Sequence, residues 1–318
     1  MKDFTRALEG AVGGERVRTN FPLAGLTTFR VGGSADWFVE TRSSDELVAC
    51  LRLSSEYSIP FTVLGGGSNV LISDLGIRGL VVRPRGGEIA RRDEHEVTAD
   101  AAVTINGLVR WTVLHGAAGL EAWAGTPGTV GGAICGNAHF GGRLIGEHVL
   151  RTRLADREGS IRDVAVEAME FGYDRSRLQQ TGEVLLTATF RVRPGDPQLL
   201  RATARQSLAF RKRTQPLDSP SAGCIFQNPD PKVDQLPPDL PYSAGALVDR
   251  AGLKGLSIGG ATVSPTHGNF IVNEGAATAE DVRSLIARCR DEVRRQFGVE
   301  LREEIVYLGD FGPPTDAA

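Results

Sequence analysis

The sequence has little from which a metal site, a disulfide framework or a membrane anchor could be built. Its four cysteines, Cys50, Cys135, Cys224 and Cys289, are far apart and form no CxxC pair, so we predict no metal site and expect reduced thiols. No run approaches the length of about 18 apolar residues that a membrane span needs, and the N-terminal segment MKDFTRALEG lacks the apolar part of a secretion signal. These absences indicate a cytoplasmic protein.

A strong net charge is also missing. The chain has 36 Lys and Arg residues, 39 Asp and Glu residues and a formal net charge of −3, whereas a general nucleic-acid or membrane-surface binder would need a basic field. The hydrophobic fraction of 41% is ordinary for a globular protein, and 318 residues suffice for more than one lobe. We therefore expect a small-molecule partner rather than nucleic acid or a membrane. A monomer is expected, although nothing in the sequence determines the oligomeric state.

Local patterns predict a mixture of helices and strands of the α+β class. Helical periodicity predicts helices at 43–57, with a capping box of Ser43 and Glu46, at 104–118, at 199–215 and after a Thr278/Asp281 capping box. These helices place Cys50 and Cys289 in the core, and His115 is interpreted as a structural residue near a helix edge.

Alternation of apolar and polar residues from Val149 to Val192 predicts a half-buried antiparallel sheet. Further strands are predicted on either side of a glycine turn at 65–67 and in the terminal segment LREEIVYLG. The PGDP sequence at 194–197 is the predicted domain boundary, and the polar tail at 313–318 is expected to fray.

Glycine is abundant, with 39 residues, nearly twice the average share of about 7%. The segment LGGGSNVLI at 64–72 lets backbone N–H groups converge on an anion, but it lacks the Walker lysine and the helix of a Rossmann motif. The segment 124–142 holds a second glycine-rich loop. Two such loops predict one long ligand, such as a dinucleotide held at its diphosphate, and the alternative is two glycine turns at a sheet edge.

Six segments together resemble one family. TTFRVGG, VLGGGSNVLISDLGIRGLVV, GLEAWAGTPGTVGGAICGNA, PSAGCIFQNP, AGLKGLSIGGATVSPTHGNFIVN and LREEIVYLG occur in the order seen in UDP-N-acetylenolpyruvoylglucosamine reductases, the MurB family, and the similarity runs from about Thr27 to Gly309. The resemblance implies a two-lobed FAD-binding domain of the vanillyl-alcohol-oxidase-like (PCMH) type and an α+β substrate-binding domain. The expected limits are 18–195 for the first domain (lobes about 18–84 and 85–195), 198–300 for the second, and 301–318 for a returning C-terminal strand and tail.

The resemblance also implies an activity. NADPH would reduce non-covalently bound FAD, which would then reduce UDP-GlcNAc-enolpyruvate to UDP-N-acetylmuramate in peptidoglycan precursor synthesis, a step of cell wall biogenesis that supports cell shape and division. The implied FAD-binding residues are Gly65, Gly66, Gly67, Ser68, Asn69, Gly125, Pro127, Gly128, Gly131, Gly132, Ala133, Gly136 and Asn137.

Cys224 occupies the position at which the family has a serine that protonates C2 of the enolpyruvyl group. A thiol, with a pKa of about 8.5, is mostly protonated at neutral pH and can keep that role, although a free cysteine is usually a small buried hydrophobe. The family's catalytic glutamate matches Glu304, and Glu303 would face the opposite side of the predicted strand.

The family's Tyr-Arg-x-Ser motif is altered in FGYDRSRLQ. Tyr173 is in register as a substrate-binding residue, but Asp174 stands where the arginine belongs. Arg175 and Arg177 are the candidate catalytic replacements, and Arg177 is favoured if the segment makes a helical turn. Further implied substrate-binding residues are Arg211, Lys212, Gln215 and Asn228. Because no tyrosine lies between Tyr173 and Tyr242, the chain resembles the short form that lacks a tyrosine loop.

Two alternatives remain open on the sequence alone. One is another FAD-dependent oxidoreductase of the same superfamily, whose members often tether FAD through histidine, for which only His139 lies inside a glycine loop. The other is a non-catalytic nucleotide-sugar-binding protein. Release of free FAD on denaturation tests the first, and substrate-dependent NADPH oxidation tests the second.

Overall fold

The computed structural model describes residues 2–234 and 236–312, so the predicted tail at 313–318 lies outside the described residues. The α-helices are α1 (Lys2–Val12), α2 (Ser44–Glu56), α3 (Ile105–Leu114), α4 (Val130–Cys135), α5 (Leu178–Thr181), α6 (Pro197–Thr214), α7 (Ala244–Arg250) and α8 (Ala279–Phe297). The strands are β1 (Val17–Pro22), β2 (Ser34–Thr41), β3 (Phe61–Val63), β4 (Val70–Ile72), β5 (Ile77–Pro84), β6 (Ile89–Arg91), β7 (Glu96–Asp100), β8 (Ala117–Ala118), β9 (His139–Phe140), β10 (Arg143–Leu144), β11 (Val149–Ala155), β12 (Ile161–Ala165), β13 (Val184–Arg191), β14 (Arg193–Pro194), β15 (Ser257–Ile258), β16 (Ala261–Val263), β17 (Ile271–Asn273) and β18 (Val306–Leu308).

The chain forms two compact units. The first consists of Met1–Phe21, Asp36–Gly66 and Gly79–Phe210, and the second of Pro22–Ala35, Gly67–Arg78 and Arg211–Ala318. The division therefore falls inside α6 rather than at the predicted boundary of 194–197, and two short segments from the predicted first domain belong to the second unit. The assignment of a cofactor to one domain and a substrate to the other stays a prediction.

The first unit contains two sheets. In the first sheet the strand order is β1-β2-β5-β3, and β3 is parallel to β5. One end each of β1, β2 and β5 belongs to the second unit. The other is the antiparallel sheet β12-β11-β13-β7-β6, which confirms the sheet predicted from 149 to 192 and adds two earlier strands. A buried cluster of apolar side chains packs on each sheet, and the cluster on the first sheet also includes Ala155, Val184 and Leu186 of the second. The predicted division of this unit into two lobes stays a prediction.

Helix starts in the first unit follow the expected capping chemistry. The Ser43 hydroxyl accepts the Glu46 N–H at 3.2 Å and begins α2, and the Thr104 hydroxyl accepts the Gly107 N–H at 3.0 Å and begins α3. The predicted capping box at α2 is half formed, because the Glu46 carboxylate accepts the Arg42 N–H at 2.8 Å instead. His115 ends α3 with its ring stacked on Trp111, as a structural histidine would.

The second unit is built around α8. Its Thr278/Asp281 capping box is complete, and its predicted apolar stripe, which includes Leu285 and Cys289, is buried. The antiparallel strands β15-β16-β17 and the parallel pair β18-β4 complete the described part of this unit. None of the described helices is both long and apolar enough to cross a membrane.

None of the four cysteines forms a disulfide. Cys50 and Cys289 are core residues as predicted, and burial raises the pKa of each thiol to about 12. Both thiols therefore stay protonated at neutral pH, and neither is a nucleophile.

Candidate active site

A cavity of about 600 Å³ in the first unit is lined by both predicted glycine loops. Gly65 and Gly66 follow β3, and Gly128 and Thr129 precede α4. The loops touch: a β-carbon on Gly66 would lie 2.6 Å from the Gly128 Cα, and one on Gly65 would lie 2.6 Å from the Thr129 Oγ1. Only glycine fits at such a backbone approach, so the expectation that the two loops serve one ligand has a physical basis.

Hydrogen bonds fix the second glycine loop. Gly125 and Gly128 have φ of +83° and +99°, a region that L-residues rarely adopt. The Gly125 N–H donates to the Asn106 Oδ1 at 2.7 Å, and the Gly128 carbonyl accepts the Ile105 N–H at 3.1 Å. The loop is thereby held on the start of α3.

Positive charge lines the same cavity. Arg83, Arg85 and Arg110 contribute to its wall, and no acidic residue of the described chain does. Burial lowers the pKa of Arg83, and the neighbouring Arg85 lowers it further. The phosphate groups of a bound anion would favour the charged form of Arg83 and so offset the lowering of its pKa by burial and by Arg85. The cavity therefore fits the nucleotide of FAD. The sequence reading missed these arginines, although the RPRGG sequence at 83–87, directly after a strand, was a signal.

Cys224 lies in a tightly held turn of the second unit. Gly223 before it has a φ of +78°, and Ala222, Ile225 and Phe226 around it are buried, whereas Cys224 is half-buried. The turn is held by Asn269, which accepts the Phe226 N–H through its Oδ1 at 2.9 Å and donates to the Phe226 carbonyl at 2.7 Å. The sequence reading did not single out Asn269, because its partner is 43 residues away.

Glu304 is positioned beside this turn. Its N–H donates to the Ile225 carbonyl at 2.8 Å, and its own carbonyl accepts the Asn69 side-chain amide at 3.2 Å. Asn69, expected at the cofactor, thus also fixes the backbone of the predicted catalytic glutamate. The strand β18 begins only at Val306, so Glu304 lies in the segment before it.

Glu303 has a different set of contacts. Its Oε1 accepts from the Arg290 Nη1 at 3.0 Å. Burial raises the pKa of Tyr307, and the charge of Glu303 and a hydrogen bond to it raise that pKa further. Glu303 is therefore held by Arg290 and Tyr307, whereas the backbone N–H of Glu304 is bonded to the turn that carries Cys224. The catalytic role of Glu304 stays a prediction.

Arg211 is a buried cation near Cys224. Only 6% of it is exposed, and burial lowers its pKa to about 10, an effect that the charge of Cys224 partly offsets. Arg211 therefore stays protonated at neutral pH.

Comparison with known proteins identifies the family. A family profile described as UDP-N-acetylenolpyruvoylglucosamine reductase, C-terminal domain, matches residues 215–308, and one described as FAD binding domain matches 35–165. The UDP-N-acetylenolpyruvoylglucosamine reductase of Heliobacterium modesticaldum is 39% identical over 296 residues, which cover 93% of this chain and 91% of the relative. The chain belongs to this reductase family.

Two further relatives agree. The UDP-N-acetylenolpyruvoylglucosamine reductase of Trichormus variabilis is 38% identical over 298 residues, covering 93% of this chain and 87% of the relative. The crystal structure of UDP-N-acetylenolpyruvylglucosamine reductase (MurB) from Thermus caldophilus matches with a TM-score of 0.76 and 30% identity, covering 92% of this chain and 99% of that one. The chain is an FAD-dependent oxidoreductase, and its predicted fold class is confirmed.

The other residues that the MurB resemblance implies for FAD binding do not line the large cavity. Asn137 is completely buried, and its amide joins two backbone groups, the Gly146 N–H at 2.8 Å and the Gly172 carbonyl at 2.7 Å. The remaining residues of that set do not line the large cavity: Gly67, Ser68, Asn69, Gly125, Pro127, Gly131, Gly132, Ala133 and Gly136. Their part in FAD binding stays a prediction.

Asp174, which replaces the arginine of the MurB motif, pairs with a histidine. Its Oδ1 lies 3.0 Å from the Nδ1 of His139, and the Tyr173 hydroxyl lies 3.4 Å from the Nε2 of that ring. Asp174 has a φ of +52° and a side chain that is only 8% exposed. The sequence suggests His139 only as a tether for FAD. Its pairing with Asp174 leaves no local pattern, because the two residues are 35 positions apart.

The two candidate arginines differ in their contacts, and the difference favours Arg175 over Arg177. Arg177 donates to the Glu183 Oε2 at 2.9 Å and to the Ala168 carbonyl at 3.0 Å, so its guanidinium is already bound. The expected helical turn is absent, because Gly172 and Arg175 pair as an isolated bridge around Asp174. Arg175 is exposed and makes no ion pair among the described residues, which makes it the better candidate.

The remaining substrate-binding candidates lie in the second unit. The Gln215 Oε1 accepts from the Arg211 Nη1 at 3.5 Å, and Lys212 is exposed. The Asn228 Oδ1 accepts the Ala244 N–H at 3.0 Å at the start of α7. Asn228 therefore has a structural role, and its contact with substrate stays a prediction.

Proposed function

We propose that this protein reduces UDP-GlcNAc-enolpyruvate to UDP-N-acetylmuramate with NADPH as the hydride donor, in peptidoglycan precursor synthesis in the cytoplasm. The observation that carries the proposal is the placement of Cys224 beside Glu304 and Arg211 in the second unit. Reduction of an enolpyruvyl group needs hydride at C3 and a proton at C2. FAD, when bound, supplies the hydride transfer from NADPH to C3.

Cys224 supplies the proton in this proposal. The thiol donates its proton to C2, and the thiolate left behind is stabilised by the buried Arg211 guanidinium. Glu304 is held at the same turn through its own N–H, so it can orient the thiol or return a proton to it after turnover. These roles are consistent with the serine-to-cysteine replacement at this position.

Negative charge develops on the substrate carboxylate during the reaction, and a cation must stabilise it. Arg175 is the candidate, because a guanidinium binds a carboxylate through two parallel hydrogen bonds and that of Arg175 is not engaged by an acid among the described residues. Tyr173, Lys212 and Gln215 remain the candidates for the rest of the substrate.

The purified protein is expected to be yellow. The flavin absorption should bleach when NADPH is added without oxygen, and it should return when the enolpyruvyl substrate is added. Denaturation should release free FAD, because nothing in the proposal attaches it covalently. Absorption spectra of the protein, and of the supernatant after acid precipitation, check these outcomes. FAD that stays with the precipitated chain would favour a tethered oxidase with His139 as the attachment point.

Replacing the two candidate arginines should have different effects. Arg175→Ala removes a charge-assisted pair of about 1.5 kcal/mol, so reoxidation of the flavin by substrate should slow about tenfold, while reduction by NADPH is unchanged. Arg177→Ala removes one of the two arginines that bind the nearly buried Glu183 and leaves it with Arg162 and Thr181, so the unfolding free energy should fall by about 1–3 kcal/mol. Rapid mixing and thermal unfolding measure the two effects. Slow reoxidation in the Arg177 variant alone would restore the order expected from sequence.

A further inference from the structure

A second, smaller cavity in the first unit is lined almost entirely by arginine. It measures about 190 Å³, and its walls are Arg16, Arg18, Glu40, Arg42 and Arg85. Arg18 lies on β1 and Glu40 on β2, and Arg42 and Arg85 follow β2 and β5. Because β1, β2 and β5 are neighbours in the sheet, these side chains stand next to one another. Of the five, only Arg85 also lines the large cavity.

The positive charge of this cavity is not balanced by the described residues. Arg16 binds Glu46 with both terminal nitrogens, at 2.7 and 2.9 Å, and the Arg85 Nε lies 3.5 Å from the Glu40 Oε1. Arg18 and Arg42 make no ion pair with any described residue. The Arg42 charge also acts on Glu46, whose pKa it helps to lower. The four arginines of the cavity still outnumber its two acidic partners, Glu40 and Glu46, so a bound anion would offset the repulsion among the guanidinium groups.

Two details of the arginine side chains also indicate a ligand. The Nε of Arg16 is buried and has no hydrogen-bond partner among the described residues, and the Glu15 Oε1 is 3.9 Å away. The Arg18 guanidinium lies over the Phe21 ring at 4.9 Å and the Phe38 ring at 5.8 Å, and these rings stack on each other. Stacking restricts the guanidinium and leaves its in-plane N–H groups available to an acceptor.

We propose that Arg16, Arg18, Arg42 and Arg85 bind a phosphate group. The forked donors of arginine match phosphate oxygens, and several donors around one tetrahedral anion use all of its faces. The volume suits a phosphate or diphosphate and is below that of sites for larger ligands, about 300–1,000 Å³. Two sources have this chemistry: a free phosphate ion, and a phosphoryl group of a nucleotide in the large cavity, since Arg85 lines both.

The test uses the FAD-loaded protein and inorganic phosphate. Isothermal titration at constant ionic strength measures phosphate binding, and serial dilution with flavin fluorescence measures FAD release. The variant is Arg18→Ala/Arg42→Ala. The control is Arg193→Ala/Arg205→Ala, which removes two exposed arginines that make no ion pair among the described residues and lie outside both cavities.

We expect one saturable phosphate site per chain, with affinity at least about tenfold weaker in the variant and unchanged in the control. A second outcome also supports the site: the wild-type protein binds no added phosphate, and the variant, but not the control, releases FAD at a protein concentration about tenfold higher than the wild type does. In that case the phosphoryl group belongs to the nucleotide. No saturable phosphate binding together with unchanged FAD release would overturn the site, as would equal losses in variant and control. If the alanine variant does not fold, Arg18→Lys/Arg42→Lys, which keeps the charge and removes the fork, is measured in its place against the same criteria.

Discussion

Cys224→Ala is expected to slow the reoxidation of reduced flavin by the enolpyruvyl substrate by about 10²–10⁴-fold, the usual contribution of a general acid. Flavin reduction by NADPH needs no proton at C2 and should keep its rate. Cys224 is half-buried and near the protonated Arg211, so its loss removes both the proton and the group that the arginine stabilises. Rapid mixing with each reactant separates the two half-reactions.

Cys224→Ser is the matched control for this experiment. Serine keeps a hydroxyl of similar size in the same turn, so much of the reoxidation rate should return. A cysteine that served only for packing would leave the three proteins equally active. If the alanine variant is reoxidised at the wild-type rate, the proton comes from another group, and Glu304 is the next candidate.

Local signals predicted α2, α3, α6 and α8, but not the other four described α-helices. A capping residue and an apolar stripe predicted α2, α3 and α8, because capping chemistry and burial of one face are both encoded within a few turns. The two compact units could not be predicted in this way. The segments 22–35 and 67–78 join the second unit through contacts such as Thr28 N–H to the Gly67 carbonyl, and contacts between distant segments leave no local pattern.

The part of the candidate site formed by the two glycine loops could be predicted from the sequence, because close backbone approach and positive φ both require glycine. The clustering of glycines at 65–67 and 125–132 predicted one ligand, and Gly66 and Gly128 do line one cavity. Side-chain partners were less predictable. Arg177 was favoured on an assumed helical turn, but the positive φ of Asp174 breaks that turn and Glu183 binds Arg177. The pair of His139 and Asp174 had no signal because it depends on tertiary contact alone.

Gly66→Ala is expected to weaken FAD binding by about 5- to 150-fold. The added β-carbon would lie 2.6 Å from the Gly128 Cα and 3.3 Å from its N and C atoms, so it meets backbone that no rotamer change can move. The two glycine loops must then separate, and overpacking of this kind costs about 1–3 kcal/mol, where each 1.4 kcal/mol is about tenfold in affinity. Titration of FAD into the reconstituted variant measures the loss.

Gly10→Ala is the matched control, because it makes the same substitution where nothing lies within 4 Å of the new β-carbon. Gly10 is in the exposed part of α1, so the alanine should raise helix stability by about 0.5–1 kcal/mol and leave FAD affinity unchanged. A Gly66→Ala protein that binds FAD as the wild type does would show that the contact between the loops does not shape the FAD site. If both variants lose FAD equally, the effect comes from general destabilisation, whereas loss in the Gly66 variant alone locates the cofactor where the two glycine loops meet.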